Sequence, residues 1–321
     1  MRILVTGATS QIGDAIVRQL LDRGDHVATL QRSSNSIHAV RQHRGSVADP
    51  AVAVEAVAGC DAVVHLAARV GIVGSWDQFH LANVTGTEVM VKAAEAAGVT
   101  RFVHVSSPSV AHGGDALVAA HAAPADPVSA RGHYSRSKAM AERVALAANG
   151  ANMSVVAIRP HLVWGPDDAQ LVGRIVERAR AGRVALVGTG ASLIDSTYID
   201  NAADALVAAV DHCEAAKGRA LVISNGEPRP IGELVNGILA AHRLDPVTRR
   251  VPKVVAFGAG WVAERAWPAM KLSGEPPMTS FLAEQLGTAH WFDQREARAL
   301  LRWTPRVGLD EGLRLLKARA D

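Results

Sequence analysis

Cysteine is scarce in this chain, with 2 residues, Cys60 and Cys213, among 321. Two thiols make no disulfide framework, and Cys60, inside "AGCDAVVHLA", reads as a small buried thiol at a strand entrance. An excess of one charge sign is lacking too. Lys and Arg total 34 against 31 Asp and Glu, and the resulting +3 is too small for a nucleic-acid binder. No apolar run reaches the roughly 18 residues that suggest a membrane span. The opening "MRILVTG" has one basic residue and too short an apolar stretch for a signal peptide. Repeats, low-complexity tracts and runs of like charge are absent. What remains is ordinary globular composition, 49% hydrophobic and 20% charged, with enough length for a substantial core. A cytoplasmic protein without a metal is expected.

Tyrosine is equally scarce, at 2 residues, yet Tyr134 in "RGHYSRSKAMAER" stands four residues before Lys138. At that spacing both side chains share one helix face. The pair suits a solvated helix face, or a proton donor whose pKa an ammonium adjusts.

"MRILVTGATSQIGDAIVRQLLDRGDHVATLQR" runs apolar strand, Gly-rich turn, amphipathic helix, turn, second strand. Similar strands follow at "DAVVHLA", "RFVHVSS", "SVVAIRP" and "RALVISN", separated by helical patterns such as "LANVTGTEVMVKAAEAAG" and "SRSKAMAERVALAA". The alternation predicts an α/β fold: a doubly wound parallel sheet of the NAD(P)-binding Rossmann type, with ligands at the carboxyl ends of its strands. Past residue 166 the alternation breaks up. Residues 1–166 plus 197–225 are therefore assigned to a dinucleotide-binding domain. Residues 167–196 plus 226–321 are assigned to an interleaved, smaller, mostly helical substrate lid.

In the first turn Gly7 permits the bend and Gly13 lets the helix pack on the strand, while the helix start faces a pyrophosphate. Ser10 stands where a third glycine would sit, and its hydroxyl is suited to cap the helix or bond the phosphate. The second strand ends "TLQRSS", with Gln31 and Arg32 in place of the acid that would bond the 2′-hydroxyl of NAD. A guanidinium grips a 2′-phosphate, so NADP(H) is favoured over NAD(H).

"TGATSQIG", "HLAA", "NVTGT", "HVSSPSV", "YSRSK" and "RPHLVWGP" stand in that order along the chain. Together they resemble the extended short-chain dehydrogenase/reductase family over nearly the whole length, down to "RWTPRVGLDEGLRLL". "SSPSVA", "RPHLVWGP" and "PPMTSFLAEQLGTAHWFDQ" look most like its 3β-hydroxysteroid dehydrogenase/isomerase branch, which includes bacterial 2-alkyl-3-oxoalkanoate reductases.

The resemblance implies roles residue by residue. Ser107 orients the substrate oxygen, Tyr134 serves as general acid/base, and Lys138 bonds the nicotinamide ribose while pulling the phenol's pKa toward neutrality. Asn83 bends its helix or holds a water in a proton path. Thr9, Gln11 and Ile12 join the glycines at the cofactor, as do Leu66, Ala67 and Ala68; Pro160 sets neighbouring backbone against the carboxamide. Ser46 replaces an aspartate the family often has near the adenine, which leaves Val47 for the ring contact.

For the substrate, Leu162 stands where nucleotide-sugar enzymes of the family often have asparagine. Val70, Ile72, Val73 and Trp76 of "RVGIVGSWDQFH", with Trp164, suggest apolar walls for a sterol or long acyl chain. His161 either touches substrate or is a satisfied strand-end histidine. The expected function is NADP(H)-dependent interconversion of a ketone and a secondary alcohol on a hydrophobic molecule. The competing readings are a nucleotide-sugar epimerase or dehydratase and a non-catalytic NADP(H) sensor. A homodimer through helices around 80–97 and 131–149 is expected from the resemblance. "VVAFGAGWVAERAWPAM", after Arg249, Arg250 and Lys253, suits a membrane-surface helix; Glu264 and Arg265 interrupt it and favour a lid over an apolar pocket.

Overall fold

Six short apolar strands and one polar one carry the architecture. β1 (Arg2–Thr6) leads through α1 (Gln11–Asp22) to β2 (His26–Gln31) and then to β3 (Arg41–Arg44). Next come α2 (Pro50–Val57), β4 (Ala62–His65) and a short α3 (Trp76–Phe79), which passes through a π-helical stretch, His80–Thr85, into α4 (Gly86–Ala96). β5 (Arg101–Val105), β6 (Leu117–Ala120), α5 (Gly132–Ala147) and β7 (Ser154–Pro160) follow. The computed structural model describes residues 1–71, 73–111, 114–270 and 278–320. Ile72 and the two prolines opening "PPMTS" lie outside the described residues.

The rest of the chain alternates between the sheet and a second body. Its elements are β8 (Val163–Trp164), α6 (Val172–Arg180), β9 (Leu186–Val187), β10 (Leu193–Ile194), β11 (Thr197–Tyr198), α7 (Ile199–Asp211) and β12 (Ala220–Ile223). β13 (Arg229–Pro230), α8 (Ile231–Ala241), β14 (Arg250–Val251), α9 (Lys253–Ala269), α10 (Ser280–Gly287), β15 (His290–Phe292), α11 (Arg295–Leu301) and α12 (Leu309–Ala320) complete it.

The main sheet is parallel throughout, in the order β12-β7-β5-β4-β1-β2-β3. The order reverses at β1, whose neighbours are β2 and β4, so the binding crevice is expected above that point. Alternate side chains of each strand serve opposite layers. Ile3, Val5, Val64 and Ile158 pack with Ile16 and Leu20 of α1 and Leu206 of α7. Leu4, Val63 and Phe102 pack with Val57 of α2 and Met90 of α4. β3, "RQHR", is a charged edge strand, which discourages pairing with another chain.

The second body has its own core of Ile194, Leu234, Ile238 and Leu316. It also holds a four-stranded sheet, β13-β10-β15-β6, so β6 joins it from within the amino-terminal segment. Among the described residues no helix is long and apolar enough to cross a membrane.

Candidate active site

Local geometry first sets the turn after β1. Gly7 has φ +73°, and a Cβ there would lie 3.0 Å from the Ala67 Cα and N. The ends of β1 and β4 thus approach so closely that only glycine fits. A Cβ on Gly13 would lie 2.5 Å from the Gly7 carbonyl oxygen, so the helix start closes on the turn only without a side chain. Ser10 uses its hydroxyl as the N-cap: Oγ accepts from the Gly13 N–H (3.1 Å) and donates to the Gly7 carbonyl (2.8 Å). Of its two expected uses, capping is the one observed. The first N–H groups of α1, at Gln11 and Ile12, lack intrahelical acceptors and suit a pyrophosphate.

A crevice of about 910 Å³ opens beside this turn, lined in part by Thr9, Ser10, Gln11, Ser34, Asn35 and Pro166. Its walls include neither Tyr134 nor Lys138, so it lies beside the glycine turn and apart from the phenol and the ammonium. Arg32 is exposed just past β2, while the neighbouring Gln31 is buried with its Oε1 unpartnered, an acceptor waiting for a donor such as a ribose hydroxyl. A dinucleotide therefore fits the residues present. Val47 is 8% exposed and packs against Gly86, where a Cβ would lie 2.7 Å from its Cγ2. Leu66, Ala67 and Ala68 follow the end of β4, and Pro160 ends β7, all on the carboxyl edge of the sheet.

Three predicted groups converge farther along that edge. Tyr134 stands in the first turn of α5, half-buried, with its phenol beside the hydroxyl of Ser107, two residues past β5. Ser107 Oγ also lies 3.0 Å from Ser109 Oγ. Lys138, 4% exposed, donates from Nζ to the Val105 carbonyl at 2.5 Å and so pins α5 to the end of β5.

The pKa directions differ from the sequence expectation. Burial pushes the Tyr134 phenol up, and the Ser107 hydrogen bond opposes this. Lys138 is not among the causes, because its ammonium points at a backbone carbonyl. Burial lowers Lys138 itself to about 8, with the charge of Glu142 opposing.

Asn83 lies in the π-helical stretch, a geometry that turns one residue out of the regular α register. Its Oδ1 accepts from Arg69 N (2.6 Å), and Nδ2 donates to Arg69 O (3.1 Å) and Ser137 Oγ (2.9 Å). Ser137 Oγ in turn donates to the Tyr134 carbonyl at 2.9 Å. Asn83 is thereby a positioning residue, holding the loop after β4 and the start of α5.

A second chain reinforces it. The Ala67 N–H donates to Thr6 Oγ1, which lies 2.9 Å from His65 Nδ1; His65 Nε2 lies 3.1 Å from Thr87 Oγ1, which donates to the Asn83 carbonyl. Because the Thr87 hydroxyl is spent on that carbonyl, His65 carries its proton on Nε2. Burial and Lys138 hold its pKa down to about 3, so it stays neutral.

Sequence reading missed one buried pair. Arg159, 1% exposed, grips Glu142 of α5, also 1% exposed, through Nε (2.8 Å) and Nη2 (2.5 Å), and donates from Nη1 to the Ala123 carbonyl. The available signal was an arginine inside the otherwise apolar strand "SVVAIRP", which demands a partner.

Two of the proposed pocket residues do not face a pocket. Trp164 is wholly buried: β8 pairs with β11, its indole meets Tyr198 edge-on, Nε1 donates to Ser196 Oγ, and α12 covers it at Gly312. His161 is buried with Nε2 2.8 Å from His290 Nδ1, while His290 Nε2 donates to the Gln285 carbonyl, so it is the satisfied strand-end histidine. Val70 and Val73 are exposed on the loop after β4. Trp76 is half-buried, with the Arg136 guanidinium 4.6 Å above its ring. Leu162 is partly buried at φ +40°, a backbone conformation that asparagine tolerates better than leucine.

The model of the NAD dependent epimerase/dehydratase family matches residues 3–224. Over 326 residues the chain is 45% identical to a 2-alkyl-3-oxoalkanoate reductase of Stenotrophomonas maltophilia, covering 99% of both. It is 32% identical to a 3 beta-hydroxysteroid dehydrogenase/Delta 5-->4-isomerase of Mycobacterium tuberculosis, covering 95% of this chain and 86% of that one. Among solved structures, MoeE5 in complex with UDP-glucose and NAD aligns with a TM-score of 0.76 and 26% identity, over 99% of this chain and 98% of that one. The matched span contains the glycine turn, the Ser107–Tyr134 contact and the buried lysine, and the chain accordingly belongs to the NAD dependent epimerase/dehydratase family, as an NAD(P)-dependent extended short-chain dehydrogenase/reductase acting on CH–OH and keto groups.

Proposed function

We propose that the protein reduces the ketone of a hydrophobic 2-alkyl-3-oxoacid, with NADP(H) as the preferred cofactor and Tyr134 as the proton donor. The Tyr134 phenol beside the Ser107 hydroxyl, with Lys138 one turn along the same helix, carries this reading, and the 45% identity to a reductase of that name supports the substrate class. When bound, the cofactor supplies a hydride to the carbonyl carbon. Ser107 holds the carbonyl oxygen by a hydrogen bond, and Tyr134 gives that oxygen its phenolic proton. A phenol raised by burial remains protonated through neutral pH, the form an acid needs. The phenolate left behind recovers its proton from solvent, while the Lys138 ammonium, held by the Val105 carbonyl, is left for the nicotinamide ribose.

Arg32 supports the 2′-phosphate, as no acid stands at the end of β2. Val70, Val73, Trp76 and Leu162 are the apolar side chains that remain for the substrate once Trp164 and His161 are assigned to the interior. The experiment measures NADPH and NADH oxidation against 2-alkyl-3-oxoacids, 3-ketosteroids and sugar nucleotides. Turnover of the oxoacids with NADPH is expected, and Arg32→Glu should lower NADPH affinity about tenfold or more while sparing NADH. Activity confined to sugar nucleotides would overturn the substrate assignment.

The ammonium adds a pH dependence. Lys138 is charged below about pH 8 and loses its proton above it. The alkaline limb of kcat/KM, which reports the free enzyme, should therefore fall near that pH. Lys138→Arg, permanently charged, should keep whatever activity it has beyond that limb.

A further inference from the structure

We propose that Arg69 binds the substrate's carboxylate and so selects 2-alkyl-3-oxoacids over uncharged ketones, an inference that rests on the substrate class proposed above. In such an acid the carboxylate carbon stands two bonds from the ketone carbon. A cation that holds it must therefore sit beside the reacting phenol.

Most cations around the start of α5 are already committed. The Lys138 ammonium is held by the Val105 carbonyl, Arg159 grips Glu142, and Arg131 pairs with Glu284. Arg136 is exposed and lies over the Trp76 ring. Arg69, in the loop after β4, is half-buried and pairs with no acid among the described residues. The Val73 carbonyl, 3.2 Å from Nη2, accepts from its guanidinium, while Nε is enclosed with no acceptor. A side chain that served only to staple its own loop would not leave a buried N–H unpaired, because that costs free energy.

The side chain is also held in place. Asn83 clamps the Arg69 N–H and carbonyl, and reaches the Tyr134 carbonyl through Ser137. The guanidinium lies 5.3 Å from the centroid of the buried Phe79 ring. That ring is in turn 6.1 Å from the ring of His133, the residue before Tyr134. Gly74 leaves the guanidinium room, since a Cβ there would lie 2.7 Å from Nη2. Stacking on a ring occupies the face of a guanidinium and keeps its N–H edge for a planar anion, which it meets bidentately.

The test compares oxidation of a 2-alkyl-3-hydroxyacid and of its methyl ester by NADP⁺, a direction in which the substrate acid does not lose carbon dioxide. Wild-type protein is expected to favour the acid in kcat/KM by about tenfold to hundredfold, the span of a hydrogen bond to a charged group. Arg69→Met, which keeps the aliphatic stem over Phe79, should collapse that acid-over-ester ratio. Arg69→Lys, which keeps the charge without the fork, should restore part of it. Equal wild-type rates on acid and ester would overturn the role of Arg69 and leave the ketone reading standing. So would a ratio that survives in Arg69→Met, or one unchanged because both substrates slow together, the mark of a loop staple. Wild-type turnover of neither compound, with activity on a sugar nucleotide, would instead remove the substrate class and this role with it.

Discussion

Tyr134→Phe lowers kcat for ketone reduction by roughly 10²–10⁴-fold, the span that general acid catalysis supplies, while the Kd for NADPH changes little. The substitution removes one oxygen, the one beside the Ser107 hydroxyl. It leaves the ring, the Ser137–Asn83 clamp on the Tyr134 carbonyl and the Lys138–Val105 bond in place. The rate loss corresponds to about 3–5 kcal/mol of barrier, far more than the ~1 kcal/mol that one neutral hydrogen bond contributes to stability. Steady-state kinetics and fluorescence titration with NADPH separate the two effects. Equal rates in both proteins reject the phenol as proton donor, and joint loss of rate and cofactor affinity makes its role structural.

Glu142→Ala is expected to cost about 3–5 kcal/mol of folding stability, because it strands the Arg159 guanidinium in the interior. Both partners are 1% exposed and the contact is bidentate, so water does not readily replace the lost carboxylate. The urea midpoint measures the loss, and a change under about 1 kcal/mol would show that the guanidinium finds another partner. The variant has a catalytic corollary. Glu142 raises the pKa of Lys138, so its removal should carry the alkaline limb of kcat/KM to lower pH. A purely architectural glutamate would leave that limb where it was.

Local pattern made much of the fold readable. The strands at "RILV", "HVATL", "DAVVHLA", "RFVHVSS", "SVVAIRP" and "RALVISN" are β1, β2, β4, β5, β7 and β12, since buried parallel strands are short and continuously apolar. β3 escaped notice because "RQHR" at a sheet edge shows no apolar pattern at all. Tyr134 and Lys138 were legible through helical spacing, and the glycines through the conformations they alone allow. The clamp formed by Asn83 was not, as a π-helical register leaves no signature in hydropathy.

By itself the sequence determined the order of strands and helices, the glycine turn and the phenol–ammonium spacing, all properties of neighbouring residues along the backbone. Tertiary structure alone decided what each apolar or ionisable side chain faces. Trp164 and Trp261 are both tryptophans in the carboxyl-terminal half of the chain, yet pairing of β8 with β11 buries the first, while the small inward residues of α9 leave the second outside. The phenol's pKa follows the same logic: proximity to Lys138 in sequence suggested a fall, and burial combined with an ammonium turned toward Val105 produced a rise. Desolvation and side-chain direction depend on what packs from elsewhere in the chain, and spacing along it does not encode them.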